Sequence, residues 1–274
     1  MARSLSIPSS FRPTRVLLPF AWFPLFALVA CSSGGSDSAP TGDSGAVDSG
    51  TEVTDGSSSA DADGGAKGDG AQVSCTAAIA TALQPIASVS TGVVNVTSDT
   101  GGVKVVYIDA AAGGINKAAT TPRLYLNLET LARVDITDVA APTSATWDLA
   151  LKRNVIFTNS GSAGPGTGGA AYLAQRSFDS VTTADVATAD FRAEEFVDAD
   201  CNAYQDRIGG PLTSFGDWYE YDEATNALAP KNGTFVVRGA AGKAYKLRIL
   251  NYYSTPDGGT GMAGGFFTLQ VAAL

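Results

Sequence analysis

Three cysteines are the residues of this chain most ready for covalent chemistry. Cys31 closes the run Leu28-Val29-Ala30-Cys31 and is followed by Ser32 and Ser33. Upstream lie a basic start (Arg3, Arg12, Arg15) and an uncharged apolar stretch over residues 16–30. That stretch has the length of a signal-peptide core and falls short of the roughly 20 residues a membrane-spanning helix needs. Basic region, apolar core, small residues, cysteine and polar tract, in that order, look like a bacterial lipoprotein cleavage site. The expectation is a signal peptide over residues 1–30, a lipidated Cys31 at the new N-terminus, and a membrane partner reached through that lipid anchor. Ser32, where an aspartate could stand, points to the outer membrane. Cys75 and Cys201 then remain. An even remainder in an oxidising envelope suggests a disulfide between them, the other reading being two separate buried thiols.

Much other chemistry is excluded. The chain contains no histidine, which removes Ser-His-Asp and Cys-His nucleophile systems and the usual zinc sites. Gly164-Pro165-Gly166-Thr167-Gly168-Gly169 matches a dinucleotide-binding pattern by letters. It contains a proline and lacks a following βαβ unit, so it reads as a loop. Asp61-Ala62-Asp63-Gly64 lacks a complete set of oxygen ligands. Asp198-Ala199-Asp200-Cys201-Asn202 begins like a calcium loop, but Ala203 stands where glycine is needed and Gly209 where a bidentate glutamate should be. Calcium-stabilised adhesion through Asp198 and Asp200 is the weakest of the functions weighed. Glu194 and Glu195 are adjacent, and on a helix they would point about 100° apart, a poor start for paired acid–base work. No catalytic residue and no metal site is expected, and the chain reads as a non-enzyme.

Residues 32–74 are rich in Gly, Ser, Asp, Thr and Ala, with eight acidic residues and one lysine. Such a segment buries too little apolar surface to offset its ordering entropy, so a disordered tether over residues 31–74 is expected, spanning about 36 Å as a flexible chain. The folded domain is then residues 75–274, with 14 basic and 19 acidic residues, a net charge of −5. No basic face suggests nucleic acid.

Within that domain one stretch organises the rest. Thr146 to Gly161 carries two apolar runs, 147–151 and 155–157, separated by Lys152-Arg153-Asn154 and ended by Asn159-Ser160-Gly161. Asp148 and Arg153 on such a strand need each other, or the N–H groups of a turn, to avoid a buried unpaired charge. Period-two alternation also predicts strands at 93–97, 103–109, 124–128, 170–176, 218–221, 234–238, 244–253 and 266–272. Helices are expected over 76–83 and 185–196. Glycine-containing links at 239–242 and 256–265 suit hairpins. The fold class is all-β: a single antiparallel sandwich-like domain, or a related open barrel, with one or two short helices.

A resemblance adds to this reading. Tyr125-Leu126-Asn127-Leu128, Trp147-Asp148-Leu149-Ala150 with Arg153, and Thr158-Asn159-Ser160-Gly161 come in that order. Trp218-Tyr219-Glu220-Tyr221, Phe235-Val236-Val237-Arg238, and Gly242-Lys243-Ala244-Tyr245-Lys246-Leu247-Arg248-Ile249 follow, then Tyr252-Tyr253 and a glycine-rich last hairpin. From about residue 103 onward this series resembles the HmuY family of haem-binding bacterial lipoproteins. The resemblance implies an all-β fold, haem captured at the cell surface, and an outer-membrane haem receptor as partner. Known members hold iron through histidines, and some relatives through methionine. Here no histidine can serve.

The donors that remain are Met262, in the glycine-rich loop before the last strand, and the phenols. Tyr172 and Tyr204 flank the variable middle where members of that family build the pocket. Binding of haem, or of a related flat apolar ligand, for uptake is the leading expectation, with Met262, Tyr172 and Tyr204 as the candidate residues. The alternative is an envelope interaction module that keeps the fold and has lost haem binding. A donor facing a cleft of about 300–1,000 Å³ separates the two.

Overall fold

The structure, a computed structural model, describes residues 74–216 and 218–274. The signal segment, Cys31 and the tether up to residue 73 lie outside the described residues. The chain opens with helix α1 (Thr76–Leu83), then β1 (Val94–Thr100) and β2 (Val103–Asp109). Next come β3 (Leu124–Asn127), β4 (Ala132–Val134), β5 (Leu149–Lys152), β6 (Val155–Thr158) and β7 (Gly169–Ala174). A short helix α2 (Thr183–Thr188) precedes β8 (Tyr219–Asp222), β9 (Ala227–Pro230), β10 (Gly233–Arg238), β11 (Ala244–Asn251) and β12 (Phe266–Ala273). The fold is all-β. A six-stranded sheet has the order β1-β2-β12-β11-β10-β7, a four-stranded sheet β4-β3-β5-β6, and β8 pairs with β9. All these pairings are antiparallel.

Alternation decides which faces meet. Tyr245, Leu247 and Ile249 of β11 turn inward, as do Phe267, Leu269 and Val271 of β12. They pack with Leu124, Leu126, Leu149, Leu151 and Ile156 of the four-stranded sheet in one apolar core. Each such side chain contributes about 1.5–3 kcal/mol by leaving water. Strand β5 is buried on both faces. Leu149 and Leu151 enter this core, while Ala150 belongs to a second cluster with Tyr125, Trp147, Phe157 and Phe196. Ile79 and Leu83 of α1 cover the second cluster. The helix is held there by the Cys75–Cys201 disulfide, so the pairing expected from cysteine parity is present.

Of the two kinds of partner open to Asp148, the structure selects the backbone of turns: Asp148 accepts the N–H groups of Leu128 at 2.6 Å and Ala240 at 2.7 Å. Arg153 takes a left-handed backbone conformation (φ 52°) in the β5–β6 turn and donates to the Gly264 carbonyl at 3.2 Å. The helix expected over 185–196 ends at Thr188. Its start is secured where the Thr182 N–H donates to Asp185 at 2.8 Å. Beyond it the backbone extends, because Arg192 exchanges backbone hydrogen bonds with Ala170 and Glu194 is drawn inward. Tertiary partners outweigh local helix propensity here. Strands β4 and β9 had no sequence signal of their own, being three and four residues long and held by neighbouring strands.

Candidate functional site

Glu194 builds the floor of a cleft of about 610 Å³. The residue is 2% exposed, and its carboxylate has no basic partner among the described residues. It accepts the Thr158 N–H at 2.7 Å, the Thr158 hydroxyl at 3.0 Å, the Ser214 N–H at 2.9 Å and the Ser214 hydroxyl. The Glu194 N–H donates in turn to the Ser160 hydroxyl at 3.1 Å. Burial pushes this carboxyl above the usual carboxylate range, and the four donors pull against that rise. Gly161 lies alongside with φ 51°, and any side chain there would collide with the Glu194 carbonyl. The end of β6, the 192–195 segment and the 212–214 segment are thereby tied together.

The cleft above this knot has a volume of about 610 Å³ and is lined by Gly161, Arg192, Glu195, Tyr204 and Thr213, among others. The Tyr204 backbone is pinned on both sides, its N–H donating to Phe196 at 2.9 Å and its carbonyl accepting from Leu212 at 3.0 Å. Its side chain is 38% exposed, and its hydroxyl makes no hydrogen bond among the described residues. A second cleft of about 480 Å³, against α1 and Cys201, also has Tyr204 in its wall. Arg192 is exposed on the larger cleft, with its guanidinium free of hydrogen bonds and ion pairs among the described residues.

The other expected donors lie elsewhere. Tyr172 packs on Phe235 with ring centroids 4.9 Å apart and covers Gly233, where a Cβ would strike its ring. Burial raises its phenol. Met262 is 99% exposed on the loop between β11 and β12. The next residues, Ala263 and Gly264, line a separate cleft of about 530 Å³ with Ile115, Arg153 and Phe266. No described cleft is lined by more than one of Tyr172, Tyr204 and Met262. Four further phenols are engaged. Tyr125 donates to Asp138, Tyr219 to Asp206 and Tyr221 to Asn226, while Tyr253 accepts from Leu228. Asp198 is also committed, accepting from Asp200 and Asn202, which holds its carboxyl below the usual range.

One buried polar group escaped sequence reasoning. Asp138 accepts from the N–H groups of Ile86 and Arg123, from the Arg123 guanidinium at 3.3 Å, and from the Tyr125 hydroxyl at 3.0 Å. Arg123 also donates to the Leu83 carbonyl at the end of α1 and lies 5.5 Å from the centre of the Phe157 ring. Burial lowers the Arg123 guanidinium and raises the Tyr125 phenol, which the neighbouring carboxylate raises further. A mostly apolar cavity of about 310 Å³ adjoins the group, between α1 and Phe157. Arg123 and Asp138 are 15 residues apart, with no period linking them, so only the fold reveals the pair.

The model of the family described as HmuY protein matches residues 119–264. No curated protein matches the chain. Three solved structures share low identity with it. A lipoprotein candidate from Bacteroides fragilis is 18% identical at a TM-score of 0.41, over 65% of this chain and 92% of that one. A candidate HmuY-like haem-binding protein from Bacteroides vulgatus is 16% identical at 0.38, over 66% and 96%. The apo HmuY analogue of Tannerella forsythia is 15% identical at 0.36, over 64% and 99%.

Proposed function

Because this chain belongs to the HmuY family, we propose that it is a lipid-anchored envelope protein that binds haem at the cleft of Tyr204. The observation that carries the reading is an exposed phenol on a cleft of about 610 Å³ that also presents a guanidinium, both free of hydrogen bonds and ion pairs among the described residues. That volume lies within the range of small-ligand sites, about 300–1,000 Å³.

The residues present fit a haem held without histidine. A phenolate oxygen is a known haem-iron ligand, and Tyr204 is positioned by backbone bonds on both sides. Arg192 would attract a propionate, since guanidinium matches carboxylate geometry. The bound haem would supply the iron, and the chain would supply binding and orientation. Glu194 would set the floor without ligating, because its oxygens are already used by Thr158 and Ser214. Anchoring through Cys31, an outer-membrane location and delivery of haem to an outer-membrane receptor complete the proposal.

The test is a haem titration of the full chain, followed by Soret difference spectra in both iron states. A saturable one-to-one shift lost in Tyr204→Phe and kept in Met262→Ala supports the reading. A shift lost only in Met262→Ala moves the site to the last hairpin and overturns the Tyr204 assignment. No saturable shift overturns haem binding and favours an interaction module on the same fold.

A further inference from the structure

A separate pocket faces the hairpin turn between β5 and β6. Its volume is about 290 Å³, and Arg123, Lys152 and Arg153 contribute to its wall, with no carboxylate among its lining residues. Lys152 ends β5 on a strand buried on both faces and is itself only 9% exposed. Its ammonium makes no hydrogen bond and no ion pair among the described residues. Among the described residues only Arg123 Nε is a fully buried side-chain polar atom without a partner, so the Lys152 ammonium keeps its access to the pocket.

The sheet register explains how it came to be there. Leu124 of β3 pairs with Leu151 of β5. Continuing that register by one residue sets Arg123 across from Lys152, two like charges side by side, which disfavours the pair. Arg123 spends its two terminal nitrogens on Asp138 and the Leu83 carbonyl. Its Nε is buried and has no partner. Arg123, just before β3, and Lys152, at the end of β5, thus bring a guanidinium and an unpaired ammonium to one pocket, and the turn adds a second guanidinium, that of Arg153.

We propose that this pocket binds a small oxyanion, or the anionic head of a small molecule, with the Lys152 ammonium as its principal donor. An anion between Lys152 and Arg123 would offset their repulsion and give the Lys152 ammonium an acceptor. The remaining walls are neutral. Ala82, Leu83 and Gln84 come from α1, Ala118 and Ala119 from the loop after β2, and Gly209 and Pro211 from the loop before β8. The charged groups that act on Lys152 are therefore Arg123 and Arg153, with Asp138 behind Arg123. Burial, and then Arg123, lower the Lys152 ammonium to about 8. Anion binding should therefore weaken as pH rises through that value.

The pocket is tested on the haem-free full chain with sulfate, whose charge is constant over this pH range, and with acetate in a parallel arm. Ionic strength is held constant with chloride. The expected result is a saturable rise in Tm and a saturable calorimetric isotherm with one of the two anions. Sulfate would assign a tetrahedral head, acetate a carboxylate. Affinity should fall about tenfold or more in Lys152→Met, as for loss of a charged hydrogen-bond donor. The control Lys104→Met, which removes an exposed lysine of β2, should bind as wild type does. Saturation by neither anion overturns the proposal. So does equal loss in both lysine variants, which would reveal general charge attraction.

Discussion

Asp148 Oδ1 accepts the Ala240 N–H at 2.7 Å across 92 residues of chain, and its other oxygen accepts the Leu128 N–H at 2.6 Å. One carboxylate thus fastens the four-stranded sheet to the β10–β11 hairpin. Gly239 gives it room, since a Cβ there would lie 2.6 Å from Oδ1. Asp148→Ala orphans two buried donors, and should destabilise the fold by about 2–4 kcal/mol. The urea midpoint should fall with little change in slope. An unchanged midpoint would show that Asp148 does not join the two elements.

Glu194 should make stability depend on pH in the opposite sense to most carboxylates. Its folded value lies above the ordinary 4.5 because burial raises it. The folded state therefore holds a proton that the unfolded state has released. The associated stability is complete below the unfolded value and is lost as pH rises through the raised folded value. Glu194→Gln should flatten that decline in thermal unfolding followed from pH 4.5 upward. Its constant offset, from an amide facing the Ser214 N–H, is separate from the slope. Equal slopes in the two proteins would remove Glu194 as the source.

The Cys75–Cys201 disulfide closes a loop of 126 residues in sequence separation. By chain entropy that restraint is worth about 4–5 kcal/mol. Reduction, or Cys75→Ala with Cys201→Ala, should lower the unfolding free energy by about that amount. α1 covers the second apolar cluster beside the disulfide, so amide exchange in residues 76–83 should quicken first.

Lys152→Met should raise stability in chloride buffer free of sulfate and acetate by about 1–3 kcal/mol, because a partly buried ammonium is replaced by an apolar side chain of similar length. The gain has a pH signature. The folded ammonium is depressed to about 8 from 10.5, so the unfolded state binds the extra proton between those values. Wild-type stability relative to the variant should recover as pH rises through that window. A difference that stays constant from pH 7 to 10.5 would show that Lys152 is solvated in the folded state.

Much of this architecture was legible in the residues themselves. Apolar runs of strand length located β5 and β6, and period-two alternation located β2, β10, β11 and β12, to within a few residues, because a sheet with one buried face requires alternation locally. Helix α1 and the cysteine pairing were equally plain, the first from a short Ala-rich run and the second from parity. The series around Trp147 and Trp218 marked the family. What the residues alone did not disclose is which partner each buried polar group takes. Asp148 and Arg153 are five positions apart and could pair with each other or with the N–H groups of turns; the fold gives Asp148 two such N–H groups and sends the Arg153 guanidinium to Gly264. Glu194 and Glu195 are adjacent in sequence and show only two acids poorly set for paired chemistry, whereas the fold draws Glu194 to Thr158, 36 residues away. Lys152 faces Arg123 only because β3 and β5 pair in one register and not its neighbour. Alternation belongs to a single strand, whereas polar partnerships are settled by register and by contacts across tens of residues. Tertiary structure alone decided these, and with them the clefts in which Tyr204 and Lys152 stand.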